Sequence, residues 1–232
     1  MDDRRRRVYG RRLGYRLRPG RQALLDRALP ALRIDLPEDP QAPIDLSALF
    51  PAPVRDLWLE IGFGAGEHLA HQVRANPAVG FIGCEPFVQG VAGLLRHLEA
   101  DGTADRVRIF PDDARLLLDR MPEACIGRLF VLFSDPWPKK RHHKRRLIDA
   151  ETLAGFARIL KEGAEFRWAS DDSGYVEWTL EHVAGNEAFA LTDRTSGDWP
   201  SRPADWPETR YEQKARAQGR APVFLRYVRS PR

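Results

Sequence analysis

The stretch Leu57-Trp-Leu-Glu-Ile-Gly-Phe-Gly-Ala-Gly66 passes from an apolar segment of strand length into a G-x-G-x-G turn. A helical pattern at His68–Arg74 follows it. Glycines at a strand-to-helix turn permit a tight bend and let a ligand approach the backbone closely. The stretch therefore predicts the first unit of an α/β domain with a cofactor site at the turn.

The same alternation continues along the chain. Apolar runs of strand length lie at Leu57–Ile61, Phe81–Cys84, Val107–Phe110, Leu129–Phe133, Phe166–Ala169, Phe189–Thr192 and Val223–Val228. Helical patterns lie at Gln22–Ala31, His68–Arg74, Phe87–Glu99, Ala114–Met121, Leu147–Leu160 and Tyr175–Val183. Regular β/α alternation predicts an α/β fold with a mostly parallel sheet covered by helices on both faces. The last two strands read as a closing pair.

Two segments interrupt this pattern. Residues 1–50 are rich in Arg, Pro and Leu and read as a basic N-terminal arm with one short helix, ahead of a domain at 51–232. A long insertion at about 194–220 holds Trp199 and Trp206. An insertion of that length in a compact domain is usually functional or disordered. We expect it to contribute to substrate binding.

The charge is unevenly distributed. The net charge is +4, yet residues 1–21 hold nine Arg and two Asp, and Lys139–Arg146 hold six Lys and Arg, so the rest of the chain is acidic. Two basic patches on an acidic body suit a polyanionic partner gripped at chosen places. The alternative is a pair of solvated charge runs.

Composition also limits the compartment. There is no apolar stretch of membrane-spanning length and no secretory signal pattern, and the only cysteines are Cys84 and Cys125. We therefore expect a cytoplasmic protein without membrane association, with Cys84 as an inert core thiol. His142 and His143 have no acidic or cysteine neighbours at metal-ligand spacing, so no metal site is predicted.

Acidic residues around the glycine turn discriminate between cofactors. Glu60 directly precedes the turn and Glu67 directly follows it, so both would repel a pyrophosphate, whereas the cationic S-adenosylmethionine welcomes them. A nicotinamide dehydrogenase is disfavoured for the same reason. Glu85 ends the second strand, where an acid commonly binds a ribose diol. Asp113, or its neighbour Asp112, follows the third strand and either meets the adenine or caps the helix starting at Ala114.

A second stretch, Phe130-Val-Leu-Phe-Ser-Asp-Pro-Trp-Pro-Lys-Lys-Arg-His-His-Lys-Arg-Arg146, joins an apolar strand to a carboxylate, a Pro-Trp-Pro corner and a dense basic run. Strand ends carry the chemistry of open α/β sheets, and Lys/Arg clusters hold phosphates. The stretch therefore predicts a reaction on a nucleic acid beside its backbone. Trp137 either stacks on a flipped-out base or plugs the sheet.

Three motifs together carry a resemblance to a known family. Leu59–Gly66, Ser134–Arg146 and Thr209-Arg-Tyr-Glu212 resemble the bacterial tRNA (guanine-N7)-methyltransferases of the TrmB type, and the likeness extends from Tyr9-Gly-Arg-Arg to the last strand. It implies a class I S-adenosylmethionine-dependent methyltransferase, with a Rossmann-like, seven-stranded sheet. It also implies methyl transfer to N7 of guanine 46 in the variable loop of tRNA.

The resemblance also implies roles for particular residues. Those expected at the donor are Glu60, Gly62, Gly64, Gly66, Glu85, Asp113 and Asp135. Those expected to hold the substrate are Lys139, Asp171, Thr209, Arg210, Tyr211 and Glu212. Those expected to contact RNA are Arg141, His142, His143, Lys144, Arg145 and Arg146. Thr209 and Glu212 also fit a helix capping box, and Asp171 also fits a helix cap.

Guanine N7 has a lone pair and no proton, so the expected reaction needs no general base. Asp135 is the candidate catalytic residue, either facing the positive charge that develops on the base or selecting guanine through its N1/N2 edge. Two rivals remain: an adenine amino-group methyltransferase, which usually has Asn/Asp-Pro-Pro before the aromatic residue, and an RNA-binding module without a donor. The expected partner is tRNA, with no obligate protein partner and a monomer or homodimer.

Overall fold

A computed structural model describes residues 9–10, 12–192 and 202–232. Trp199 and part of the predicted insertion lie outside these ranges. The chain divides into two compact units, of which the first ends at Pro122 and the second begins at Glu123.

The first unit contains three parallel strands. Its elements are α1 (Pro19–Leu32), β1 (Asp56–Ile61), α2 (Glu67–Ala75), β2 (Val79–Cys84), α3 (Val88–Asp101), β3 (Val107–Phe110) and α4 (Ala114–Leu118). β2 lies between β1 and β3 and is buried along its whole length. A strand covered on both faces needs an uninterrupted run of small and apolar residues, which Val79–Cys84 supplies.

The second unit contains β4 (Ile126–Leu132), α5 (Ala150–Ile159), β5 (Leu160–Ser170), α6 (Ser173–Ala184), β6 (Phe189–Leu191), α7 (Arg210–Ala217) and β7 (Val223–Arg229). β4 and β5 are parallel, and β7 runs antiparallel to both β5 and β6. The predicted closing pair is therefore present. The strands form a seven-stranded sheet in the order β3-β2-β1-β4-β5-β7-β6, which confirms the predicted class I methyltransferase fold.

Several element boundaries differ from the sequence prediction for local reasons. α5 begins at Ala150, not Leu147, because Asp149 and Thr152 form a capping box. β5 begins at Leu160, six residues before the predicted strand. The prediction missed its first half because the residues around Gly163 are polar and exposed. The described part of the insertion contains α7, and its Trp206 is buried against Phe224, with ring centroids 5.4 Å apart.

Two segments that precede β1 make contacts with later elements of the first unit. Ile34 is buried and its N–H donates to the Ile109 carbonyl at 2.8 Å. Further back, the Val88 N–H donates to the Arg12 carbonyl at 3.1 Å, and the Arg12 guanidinium pairs with Asp112. Tyr15, in the same segment, is 95% exposed.

Both cysteines are free and shielded. Burial raises the pKa of the Cys84 thiol well above its usual value, and it raises the pKa of Cys125 to about 11. Neither thiol is therefore a reactive nucleophile at neutral pH. None of the helices in the described ranges is long and apolar enough to cross a membrane.

Candidate active site

The glycine turn closes the carboxyl end of β1 in a backbone conformation that only glycine adopts readily. Gly62, Gly64 and Gly66 have φ of 75°, 54° and 80°. The Gly62 N–H donates to the Cys84 carbonyl at 2.8 Å, which ties the turn to the end of β2. Gly66 is the N-cap of α2 in the left-handed conformation, so a side chain at any of the three would strain the turn.

α3 approaches the glycine turn through two small residues that the sequence reading did not single out. A Cβ at Gly90 would lie 2.4 Å from the Gly64 carbonyl oxygen, and one at Gly93 would lie 2.9 Å from that of Ala65. The signal was present in the sequence as two glycines three residues apart in a predicted helix. The absence of side chains at these two positions lets α3 pack directly against the backbone of the glycine turn.

We expect Gly90→Ala to lower the free energy of unfolding by about 1–3 kcal/mol, because a backbone oxygen cannot move aside for the new methyl group. Displacement of the turn should also weaken S-adenosylhomocysteine binding. Urea unfolding and calorimetric titration measure the two effects.

Gly20→Ala is the matched control, since a Cβ near the start of α1 meets nothing within 4 Å. It should leave stability unchanged or raise it by up to about 1 kcal/mol. Equal behaviour of the two variants would contradict the packing role of Gly90.

Two carboxylates predicted at the donor are buried beside the turn. The Glu85 side chain accepts hydrogen bonds from the Gly64 N–H at 2.8 Å and from the Phe87 N–H at 2.9 Å. Glu60 lies within 2.7 Å of the ring Nδ1 of His68, a residue that the sequence reading did not assign to the site. The glycine turn, Glu60 and Glu85 thus form one cluster in the first unit.

Asp112 and Asp113 follow β3 at the same edge. Asp113 is the N-cap of α4 and accepts from the Arg115 N–H at 3.0 Å, so the capping alternative for this residue is correct. Asp112 pairs with Arg12. An adenine contact by either residue stays a prediction.

The cluster fits S-adenosylmethionine. The acidic groups of this cluster are the buried carboxylates of Glu60 and Glu85, and a third carboxylate, Glu67, follows in the first turn of α2. Carboxylates can accept hydrogen bonds from an ammonium group and from ribose hydroxyls, whereas a diphosphate would be repelled. A Cβ at Gly62 would meet no protein atom within 4 Å, so the backbone is open on that side.

In the second unit, Asp135 lies in a strained turn after β4. It is exposed, and the bulky residues Phe133 and Trp137 on either side have φ of 53° and 46°. Such residues in the left-handed region cost about 1–3 kcal/mol each and cluster at functional sites. The Phe133 N–H donates to the Ala169 carbonyl at 2.8 Å, so the turn begins beside the end of β5.

The basic run folds back on Trp137. Lys140–Arg145 form a 3-10 helix, and the Arg145 guanidinium lies 5.0 Å from the centroid of the Trp137 ring. His142 meets the same ring edge-on at 5.9 Å. Desolvation and then the charges of neighbouring cations, Arg145 first, lower the pKa of His142, so its ring is neutral at pH 7. Lys139, Arg141 and Lys144 are exposed.

Arg146 differs from the rest of the run because it is buried, with only 2% of its surface exposed. Its Nε–H donates to the Pro136 carbonyl at 2.8 Å, and one terminal N–H donates to the Gly174 carbonyl at 3.2 Å. The guanidinium lies 5.1 Å and 5.0 Å from the rings of Tyr175 and Trp178. Arg146 therefore fastens the Asp135 turn to α6.

The residues expected to hold substrate lie at the ends of elements in the second unit. Asp171 follows β5 and pairs with Arg220 at 2.5 Å, while the cap of α6 is Asp172 and not Asp171. Thr209 caps α7 by accepting from the Glu212 N–H at 3.3 Å, as the capping alternative predicted. The remaining residues differ in exposure: Lys139, Arg210 and Tyr211 are exposed, and Glu212 is buried.

No group of three or more potential metal ligands occurs within residues 9–10, 12–192 and 202–232.

Comparison with known proteins identifies the family. A family model described as a putative methyltransferase matches residues 55–225. The tRNA (guanine-N(7)-)-methyltransferase of Rhodospirillum rubrum is 52% identical over 227 residues, which are 97% of this chain and 89% of the relative. The chain belongs to the tRNA (guanine-N(7)-)-methyltransferase family. The resemblance seen in the sequence is thereby confirmed.

Other members and folds agree with this family. The enzyme of the same name from Paramagnetospirillum magneticum is 49% identical, over 97% of this chain and 94% of its own. The crystal structure of the 16S rRNA methyltransferase KamB aligns with a TM-score of 0.57 at 19% identity, covering 77% of this chain and 90% of that one. That likeness concerns the fold alone. As a methyltransferase of this family, the chain uses S-adenosylmethionine as its cofactor.

Proposed function

We propose that this protein transfers a methyl group from S-adenosylmethionine to N7 of guanine 46 in the variable loop of tRNA. The observation that carries the proposal is the Asp135 turn, strained on both sides and followed by an exposed basic run, in a chain of this family. We expect the enzyme to act in the cytoplasm, because the relatives of this name come from bacteria, where tRNA is cytoplasmic.

In this proposal the glycine turn and the acids around it hold the cofactor. Glu60 accepts from the ammonium of the methionine moiety, Glu85 from the ribose, and Asp113 from the adenine. When bound, S-adenosylmethionine would supply a methyl group on a sulfonium centre. The N7 lone pair would attack this methyl carbon as the carbon–sulfur bond breaks, so that S-adenosylhomocysteine leaves as a neutral thioether, the positive charge passes to the guanine and no proton is lost.

Asp135 faces the charge that N7 methylation leaves on the base. At about 4 Å and an effective dielectric of about 20, the attraction between a carboxylate and a cationic guanine is about 4 kcal/mol before desolvation. Solvent reduces this term while Asp135 is exposed, so it acts fully only when the base covers the turn. Trp137 offers a surface for stacking.

The residues expected to hold the substrate and to contact RNA bind tRNA in this proposal. Lys139, Asp171 and Thr209–Glu212 hold the nucleotide, and the exposed cations of the basic run meet phosphates. The arm at residues 4–21 forms a second RNA contact, as part of an N-terminal extension, 1–50, on a methyltransferase domain at 51–232. Tyr15, exposed among arginines, suits stacking on an unpaired base.

The direct test is incubation with labelled S-adenosylmethionine and bulk tRNA, followed by nucleoside analysis. We expect 7-methylguanosine, and chain cleavage at the modified base should map it to position 46. A tRNA with adenine at position 46 is the control and should stay unlabelled. Labelling of a different nucleoside, or of 7-methylguanosine elsewhere, would overturn the proposal.

Replacing the exposed cations Lys140, Arg141 and Lys144 together by Ala should weaken tRNA binding and make it less salt-dependent. Each lost phosphate contact reduces the magnitude of the slope of log affinity against log salt concentration by about 0.7–0.9. The slope of the triple variant should therefore be smaller in magnitude by about 2–3. Binding titrations at several salt concentrations measure the slope.

The matched control replaces three exposed arginines outside the run, Arg55, Arg74 and Arg96, by Ala. It changes the net charge equally but should lower the slope much less. Equal slopes for the two triple variants would show that total charge, and not this run, attracts tRNA.

A further inference from the structure

A buried chain of polar side chains leads to Glu60. Glu60, His68 and Gln72 are 2%, 3% and 1% exposed, and they come from β1 and from two successive turns of α2. Glu60 Oε2 lies 2.7 Å from His68 Nδ1, and His68 Nε2 lies 3.3 Å from Gln72 Nε2. The chain continues to Asn76, whose amide donates to Gln72 Oε1 at 3.3 Å.

The order of donors fixes the state of the histidine. Because Gln72 Oε1 accepts from Asn76, the Gln72 amide nitrogen faces the ring and donates to His68 Nε2. That ring nitrogen is therefore an acceptor, and the proton of the neutral imidazole lies on Nδ1, which donates to Glu60. A protonated ring would bring two N–H donors against each other at Nε2.

This arrangement gives Glu60 a hydrogen-bond donor that carries no counter-charge. A buried glutamate elsewhere in the chain, Glu212, pairs with two cations, Arg216 at 2.9 Å and Arg202 at 3.2 Å. His68 instead offers Glu60 a neutral donor, which orients the carboxylate and stabilises its charge without cancelling it. A buried acid contributes little to stability compared with an apolar side chain, so its presence points to a function.

We propose that His68, oriented by Gln72, is a positioning residue that orients the Glu60 carboxylate to accept from the ammonium group of the cofactor's methionine moiety. The inference rests on the proposed function, in which Glu60 binds that ammonium. It assigns a role in cofactor recognition to two residues of α2 outside the glycine motif, in the manner of the outer partners that orient the ligands of a metal.

Two ligands separate this role from a merely structural one. S-adenosylhomocysteine carries the ammonium, whereas 5′-methylthioadenosine has the same adenosine and thioether but no amino acid. His68→Leu should raise the Kd for S-adenosylhomocysteine about tenfold or more, as expected for a lost hydrogen bond to a charged group. The Kd for 5′-methylthioadenosine should stay nearly unchanged. Glu60→Gln should show the same selectivity, and His68→Asn, which keeps a donor near the Nδ1 position, should restore part of the affinity.

Nitrogen NMR of the ligand-free protein gives an independent readout. We expect His68, identified by the signal lost in His68→Asn, to be the neutral Nδ1–H tautomer at pH 7. The Nε2–H tautomer or an imidazolium would overturn the inference, and this measurement decides the matter even if His68→Leu fails to fold.

The binding results also separate the two proposals. In one outcome, Glu60→Gln weakens the binding of S-adenosylhomocysteine alone, whereas the His68 variants weaken the binding of both ligands equally. That outcome would overturn the role of His68 and leave the proposed function standing. Unchanged selectivity in all variants would overturn the ammonium site itself. Failure of the wild-type protein to bind S-adenosylhomocysteine would count against the proposed function.

Discussion

Asp135→Ala is expected to lower kcat for tRNA methylation by about 10²–10³ while binding of S-adenosylmethionine is largely kept. The electrostatic term of about 4 kcal/mol before desolvation sets the upper end of this range, and desolvation of the carboxylate lowers the effect toward the other end. Stopped single-turnover assays with excess enzyme measure the chemical step apart from product release. Asp35→Ala, which removes another exposed carboxylate, is the control and should retain full activity.

A second comparison distinguishes charge stabilisation from base selection. A tRNA with inosine at position 46 lacks the exocyclic N2 amine but keeps N7. If Asp135 acts on charge, the wild-type enzyme methylates both tRNAs similarly, and Asp135→Asn slows both by a similar factor. If Asp135 selects the base, the wild-type enzyme methylates the inosine tRNA more slowly than the guanine tRNA, and Asp135→Asn does not distinguish them. Full activity of Asp135→Ala would remove this residue from the mechanism.

Arg146→Ala is expected to lower the free energy of unfolding by about 3 kcal/mol. The substitution leaves the Pro136 and Gly174 carbonyls without their donor and opens a cavity between Tyr175 and Trp178. Urea unfolding should show the midpoint fall. Arg141→Ala, on the exposed side of the same run, should change stability by less than about 0.5 kcal/mol.

The free energy of unfolding of Arg146→Lys should lie between those of Arg146→Ala and Arg141→Ala. A single ammonium group cannot reproduce the planar guanidinium, which reaches two carbonyls and stacks on two rings. The Asp135 turn should also loosen, so that activity falls more steeply than donor binding. An Arg146→Ala variant with an unchanged midpoint would mean that the observed contacts contribute nothing to the fold.

The fold was largely predictable because its determinants are local. Every strand of the sheet contains a short apolar run, and the glycine turn and the capping residues have their own sequence signatures. The extension of β5 back to Leu160 was not predictable, since Lys161, Glu162 and Glu165 are polar and interrupt the apolar pattern around the buried residues Leu160 and Ala164. Hydrophobic patterns report burial and not hydrogen bonding.

The site was predictable as a set of motifs, but not in its side-chain connections. Within the basic run nothing distinguishes Arg146 from Arg145, because the carbonyl and rings that bury it come from α6, about thirty residues later. His68 likewise reads as an ordinary helix residue until β1 places Glu60 against it. Such pairings arise from tertiary packing, which no short window contains.

The shielding of both native thiols has a practical consequence. At a pKa of about 11, Cys125 is almost entirely protonated at neutral pH, and Cys84 is buried deeper still. A maleimide fluorophore would therefore react only with a cysteine introduced at an exposed position outside the basic run, such as Glu177 on α6. The docking of tRNA could then be followed by fluorescence in otherwise unaltered protein.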